Sequence, residues 1–123
     1  MEAPHNDYAV GQSDRRPWGD WAVVDAGEAF CVKRIRVIPG GVLSLQRHTH
    51  RSEVWTIVAG SARVTRNDET FDLVAGESTS IPLQAVHRVQ NVTGDDMVFV
   101  EVQTGAVLRE DDIERLEDNY GRV

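Results

Sequence analysis

Turn-forming residues recur along this chain at short, even spacing: Pro39-Gly40-Gly41, Gly60, Asn67-Asp68, Gly76, Gly94-Asp95 and Gly105. The runs between them are roughly five to eight residues long, the ordinary length of a strand. No helical periodicity appears until residues 110–118, where Ile113 and Leu116 are spaced for one buried face. The acids at the start of that segment and Arg115 further on suit a helix dipole. The pattern predicts an all-β antiparallel sandwich or barrel with one short C-terminal helix. Residues 1–15 are polar and unpatterned, which predicts a loose N-terminal arm before a single folded domain over 16–123. A chain of 123 residues suits one domain with one core.

Alternation along residues 31–38 sorts the side chains of one strand. Cys31, Lys33, Ile35 and Val37 share one face, and Val32, Arg34 and Arg36 the other. Three apolar members mark the first face as the inner one and carry Lys33, the sole lysine of the chain, inside with them. A lysine among apolar neighbours has a partner or a task, or else snorkels out of the barrel mouth. Trp18 and Trp21 sit close together and either cap a barrel end or line a pocket, with capping the stronger expectation.

The formal charge of -7 and pI near 5.0 argue against nucleic acid as the main partner, since phosphate backbones need a basic surface. Local arginines still permit a small anionic substrate. One cysteine, Cys31, allows no intrachain disulfide. No stretch approaches the ~18 apolar residues of a membrane span, and no signal peptide is visible, so the expected location is the cytoplasm. Strands such as Val54-Thr56-Val58 and Val98-Val100-Val102 carry apolar or β-branched residues on a second face, which predicts a homodimer.

The chemistry concentrates in residues 39–60, PGGVLSLQRHTHRSEVWTIVAG. Gln46, His48 and His50 point one way on an extended strand, and a bend brings Glu53 back toward them. A second stretch, residues 76–91, adds His87 after a proline turn. Imidazole, carboxylate and amide donors together suit a borderline divalent cation, with zinc favoured and manganese, iron, cobalt or nickel as alternatives.

The spacing of these residues resembles the two cupin motifs. From Gly40, five residues lead to Gln46, one more to His48, four to Glu53 and six to Gly60. From Gly76, five lead to Pro82, four to His87 and three to Asn91. Gln46 stands where a first histidine is usual, and Gln84 where a glycine is usual. Further stretches look like the type II mannose-6-phosphate isomerase domain: Arg-Pro-Trp-Gly at 16–19, Val-Lys-Arg-Ile at 32–35, Leu-Ser-Leu-Gln at 43–46 and His-Arg-Ser-Glu-Val-Trp at 50–55. So do Ile81-Pro82, His87-Arg88, residues 101–105 and EDDIERLEDNYGR at 110–122.

The resemblance implies a double-stranded β-helix, or jelly roll, holding one divalent metal. It also implies isomerisation of mannose 6-phosphate and fructose 6-phosphate through an enediol, which supplies precursor for GDP-mannose. In bacteria such a domain often follows a mannose-1-phosphate guanylyltransferase. No Gly-rich nucleotide loop is present, so the expectation is the isomerase domain alone.

The implied metal ligands are Gln46, His48, Glu53 and His87. The alternative set replaces Gln46 with His50, which otherwise is a neighbour of the ligands or the proton-transfer base. Lys33 is a candidate for neutralising the enediolate or holding the phosphate, Glu101 for the base, and Arg115 and Arg122 for the phosphate. Two other functions fit the same pocket. One is a non-catalytic metal-binding sensor of a sugar phosphate. The other is another metal-dependent cupin enzyme, a dioxygenase or decarboxylase, against which the glutamine at 46 counts.

Overall fold

The computed structural model describes residues 4–122. Residues 1–3 of the expected arm, and Val123, lie outside the described residues. The first strands are β1 (His5–Asn6), β2 (Ser13–Arg16), β3 (Gly19–Ala26), β4 (Phe30–Val37), β5 (Leu45–Arg47), β6 (Ser52–Ala59) and β7 (Ser61–Arg66). They are followed by β8 (Glu69–Val74), β9 (Ser78–Ile81), β10 (His87–Gln90), β11 (Met97–Thr104), β12 (Val107–Leu108) and β13 (Glu114–Glu117). Six strands form one sheet in the order β2-β3-β4-β11-β6-β9, and five form the other in the order β13-β5-β10-β7-β8. Each pairing within these two sheets is antiparallel, and the layers close into a jelly roll.

Apolar side chains of both inner faces fill the space between the sheets, with Ile35, Trp55, Ile57 and Phe99 from one layer and Val64 and Val89 from the other. Cys31, Lys33, Ile35 and Val37 are all buried, as the alternation predicts. Gly60 makes the tight β6–β7 turn with φ +76°, and a Cβ there would meet the Asp96 carbonyl oxygen at 2.7 Å. Only a residue without a Cβ fits both demands.

Two expectations need correction. The segment at 110–118 forms no helix, and none occurs among the described residues. Its residues 114–117 run as β13 antiparallel to β5, with Glu114 opposite Arg47 and Arg115 opposite Gln46. Two apolar residues three apart are too few to hold a helix in water. The edge of β5, by contrast, offers unpaired backbone groups that the segment satisfies.

The region read as a loose arm also carries structure. Ser13–Arg16 pairs with β3, and His5–Asn6 runs parallel to β12. Asn6 ties this segment down by donating from Nδ2 to the Gly27 carbonyl at 2.7 Å. A polar sequence conceals such a strand because backbone hydrogen bonds and polar side-chain contacts, not an apolar face, hold it.

Candidate metal centre

Short β5 ends at Arg47, and the chain then bends through 48–51 before entering β6. Asp112, just before β13, organises this bend. Its Oδ1 and Oδ2 accept the Thr49 and His50 backbone N–H groups, both at 2.9 Å. Its carbonyl accepts the Nδ1–H of His48 at 2.6 Å. Gln84 steadies the bend from the other side, its N–H donating to the His48 carbonyl at 2.9 Å. Gln84 has φ +64°, the left-handed conformation that the motif's usual glycine favours, so the substitution kept the backbone shape.

His48, Glu53 and His87 are brought together, with one donor atom of each within 4.8 Å of the others. All three are buried. Glu53 lies on β6 and His87 on β10, so the two sheets contribute jointly. His87 donates Nδ1–H to the Ala85 carbonyl at 2.8 Å, which puts the lone pair of the ring on Nε2. That Nε2 is buried, has no hydrogen-bond partner, and lies 3.9 Å from Glu53 Oε1. The anchoring of His48 at Nδ1 likewise leaves its lone pair on Nε2, 3.3 Å from Glu53 Oε2. Two imidazoles fixed through their outer nitrogens, with inner lone pairs facing one carboxylate, form a donor set for a divalent cation. Burial, together with the charge of Arg51 and the neighbouring His87, holds the His48 imidazolium form down, so the ring stays a neutral donor.

Gln46 stands beside this group, opposite His87 in the register of β5 and β10. Its amide Nε2 is 3.4 Å from His48 Nε2, and its Oε1 accepts from the Ser44 hydroxyl at 2.7 Å. Rotating the amide would present Oε1 to the cluster instead. His50, predicted to share a face with Gln46 and His48, is exposed on the bend and is not brought to the cluster. Strand alternation stops at Arg47, which is the reason that expectation fails.

Glu101 and Gln103 face inward with Met97 and Phe99, whereas Val98, Val100 and Val102 are half-buried on the outer face. Gln103 Nε2 donates to Glu101 Oε2 at 2.9 Å, and Trp55 Nε1 donates to both Glu53 Oε1 at 3.0 Å and Glu101 Oε1 at 3.3 Å. Burial pushes the Glu101 carboxyl well above the usual range, and the adjacent Glu53 carboxylate adds to the shift. Burial is the largest influence on Glu53 too and acts upward, but the Arg51 guanidinium, Glu101 and His87 together outweigh it and hold the Glu53 carboxyl below the usual range. Two carboxyls in one buried site are thus pushed apart, Glu53 downward and Glu101 upward.

Lys33 is opposite Glu101 in the β4–β11 register, and its ammonium sits 4.3 Å and 4.2 Å from the ring centres of Tyr8 and Trp21. Burial lowers its pKa while Glu101 opposes that fall. Lys33, Glu101, Gln46, Trp18 and Trp21 all line one cavity of about 140 Å³, so the tryptophans wall a pocket rather than merely cap an end. Arg115 and Arg122 line the same cavity. The Nε of Arg115 is buried and has no hydrogen-bond partner, whereas Arg122 grips Asp118 at 2.7 Å.

Sequence reasoning missed Arg16, which also lines this cavity and stacks 5.6 Å over Trp21, and it missed Arg51 altogether. Arg51 is buried, with Nε donating to Glu53 Oε2 at 2.9 Å. Its position between His50 and Glu53 was the available signal.

Residues 4–118 match the family described as mannose-6-phosphate isomerase, C-terminal. Over 108 residues, 88% of this chain, the sequence is 53% identical to the alginate biosynthesis protein AlgA of Pseudomonas aeruginosa. It is 51% identical, over the same share, to the mannose-1-phosphate guanylyltransferase ManC of Salmonella typhimurium. The chain spans 22% of the length of each of these relatives. A double-stranded β-helix protein of Klebsiella pneumoniae superposes with TM-score 0.69 at 20% identity, covering 92% of this chain and 91% of that one. A sugar phosphate isomerase of the cupin superfamily from Silicibacter pomeroyi gives 0.61 at 20% identity, covering 69% and 58%. These structural likenesses establish the cupin fold.

Proposed function

Since the chain belongs to the mannose-6-phosphate isomerase C-terminal family, we propose that it interconverts mannose 6-phosphate and fructose 6-phosphate through an enediol, with a divalent metal held by Gln46, His48, Glu53 and His87. One observation carries the reading: a buried, partnerless His87 Nε2 and an anchored His48 face Glu53 beside a cavity edged with arginines. A divalent ion in that donor set supplies Lewis-acid stabilisation of negative charge on the sugar oxygens as a proton leaves carbon. Zinc suits the donors best.

The chain's own residues have distinct tasks in this reading. Arg115, with its unmet Nε, binds the phosphate, and Arg122 closes the same side. Arg115, Gln46 and His87 succeed one another across adjacent strands in register. The phosphate-binding side chain therefore originates two strand spacings, roughly 9.6 Å, from His87, a span suited to an open-chain hexose phosphate lying between them. Glu101, facing the cavity next to Glu53, transfers the proton between neighbouring carbons. Lys33, opposite it, balances the charge that develops on the enediol oxygens. Trp18 and Trp21 keep water from the sugar.

The outer row Val32–Val102–Val54 across β4, β11 and β6, where Val54 is 45% exposed, supports a homodimer through that sheet. Incubating the purified chain with zinc, manganese or cobalt and mannose 6-phosphate should yield fructose 6-phosphate, and EDTA should stop it. Folded, metal-loaded protein that binds the sugar phosphate without turning it over would instead make this a binding module.

A further inference from the structure

Arg51 touches the same atoms that the metal ligands offer. Besides its Nε bond to Glu53 Oε2, its Nη2 lies 3.3 Å from His48 Nε2 and its Nη1 donates to the Arg109 carbonyl at 3.3 Å. A carboxylate can share its lone pairs between a guanidinium and a metal ion, but a neutral imidazole has only one lone pair to give. The Nδ1–H of His48 is committed to the Asp112 carbonyl, so its one lone pair is on Nε2. Donors on Arg51 and Gln46 both approach that lone pair.

We propose that Arg51 is an internal counter-cation that competes with the divalent metal, holding Glu53 and His48 in place until an ion displaces it. This rests on the metal-centre reading above and adds an opposing term to it. With Arg51 in position, the buried Glu53 carboxylate is compensated and the site tolerates being without metal. On loading, the Nη2–H must leave His48 Nε2, because two acids cannot take one electron pair. Repulsion between a buried guanidinium and a divalent ion acts in the same direction. Arg51 also lines the main cavity, where an anionic substrate would meet a guanidinium released from His48.

Arg51→Met keeps an unbranched apolar stem and removes the competitor. Its cobalt affinity, measured by chelator competition on metal-stripped protein, should rise at least tenfold over wild type. The melting temperature of the metal-free form should fall, so that cobalt raises it by more than in wild type. Unchanged or weaker affinity in folded Arg51→Met would overturn the proposal and make Arg51 an aid to ligand geometry.

Should that variant not fold, the wild type answers alone. The Arg51 Nη2–H resonance, assigned by its loss in Arg51→Lys, should lose its protection from water exchange on zinc titration. A protected, unmoved resonance in zinc-loaded protein would refute displacement. If neither protein takes up metal, and His87→Ala changes nothing, the metal centre itself falls and the competition with it.

Discussion

Replacing Asp112 with alanine tests how far the metal bend depends on one side chain from the C-terminal segment. The substitution removes both acceptors for the Thr49 and His50 N–H groups while leaving the backbone carbonyl that takes the His48 proton. A hydrogen bond to a charged group contributes about 1.5–3 kcal/mol. Asp112 is only half-buried, so the lower end applies, and the freed N–H groups recover part of the loss from water. The net cost should be about 2 kcal/mol, which lowers the melting temperature of a domain this size by roughly 8 °C. Asp112→Asn retains one acceptor and should lose about half as much. Because His48 is then held by one bond instead of by an ordered bend, metal affinity should fall 10- to 100-fold, the usual cost of removing an outer support. Urea unfolding and chelator competition read the two effects, with Asp111→Ala, an exposed neighbour, as control. Stability within 0.5 kcal/mol and affinity within twofold of wild type would refute the argument.

Two further outcomes follow from ionisable groups. Arg122 holds the Asp118 carboxyl down at about 2, so the tail clamp contributes fully above the ordinary carboxylate range near pH 4. That contribution should drain away as pH falls from about 4 toward 2, and Asp118→Asn should flatten this limb of an acid-unfolding curve. Cys31 is fully buried with its thiol pushed up to about 11, first by burial, so native protein should resist iodoacetamide at pH 8 and react once unfolded in urea.

The strands were legible because turn residues punctuate them and because alternation at Cys31–Val37 needs only a period of two. The meeting of His48, Glu53 and His87 was legible from motif spacing. What stayed hidden depends on partners distant in the chain. Period alone could not say that Glu101 and Gln103 face inward, since their burial becomes affordable only through Trp55 and through each other. Residues 114–117 lack intrinsic strand character and take it from the open edge of β5. His50 left its expected face because Asp112, sixty-two residues away, captures the backbone there. Arg51 reads as a surface charge until Glu53 is folded against it.

Glu53 belongs to the six-stranded layer, while Gln46, His48 and His87 come from the five-stranded one or the bend that leaves it. An ion gripped by all of them would act as a rivet through the rim, fastening wall to wall. Withdrawing it should let the mouth breathe while the opposite end stays shut, so that amide exchange quickens at 48–53 and 85–88 long before it does around Phe99.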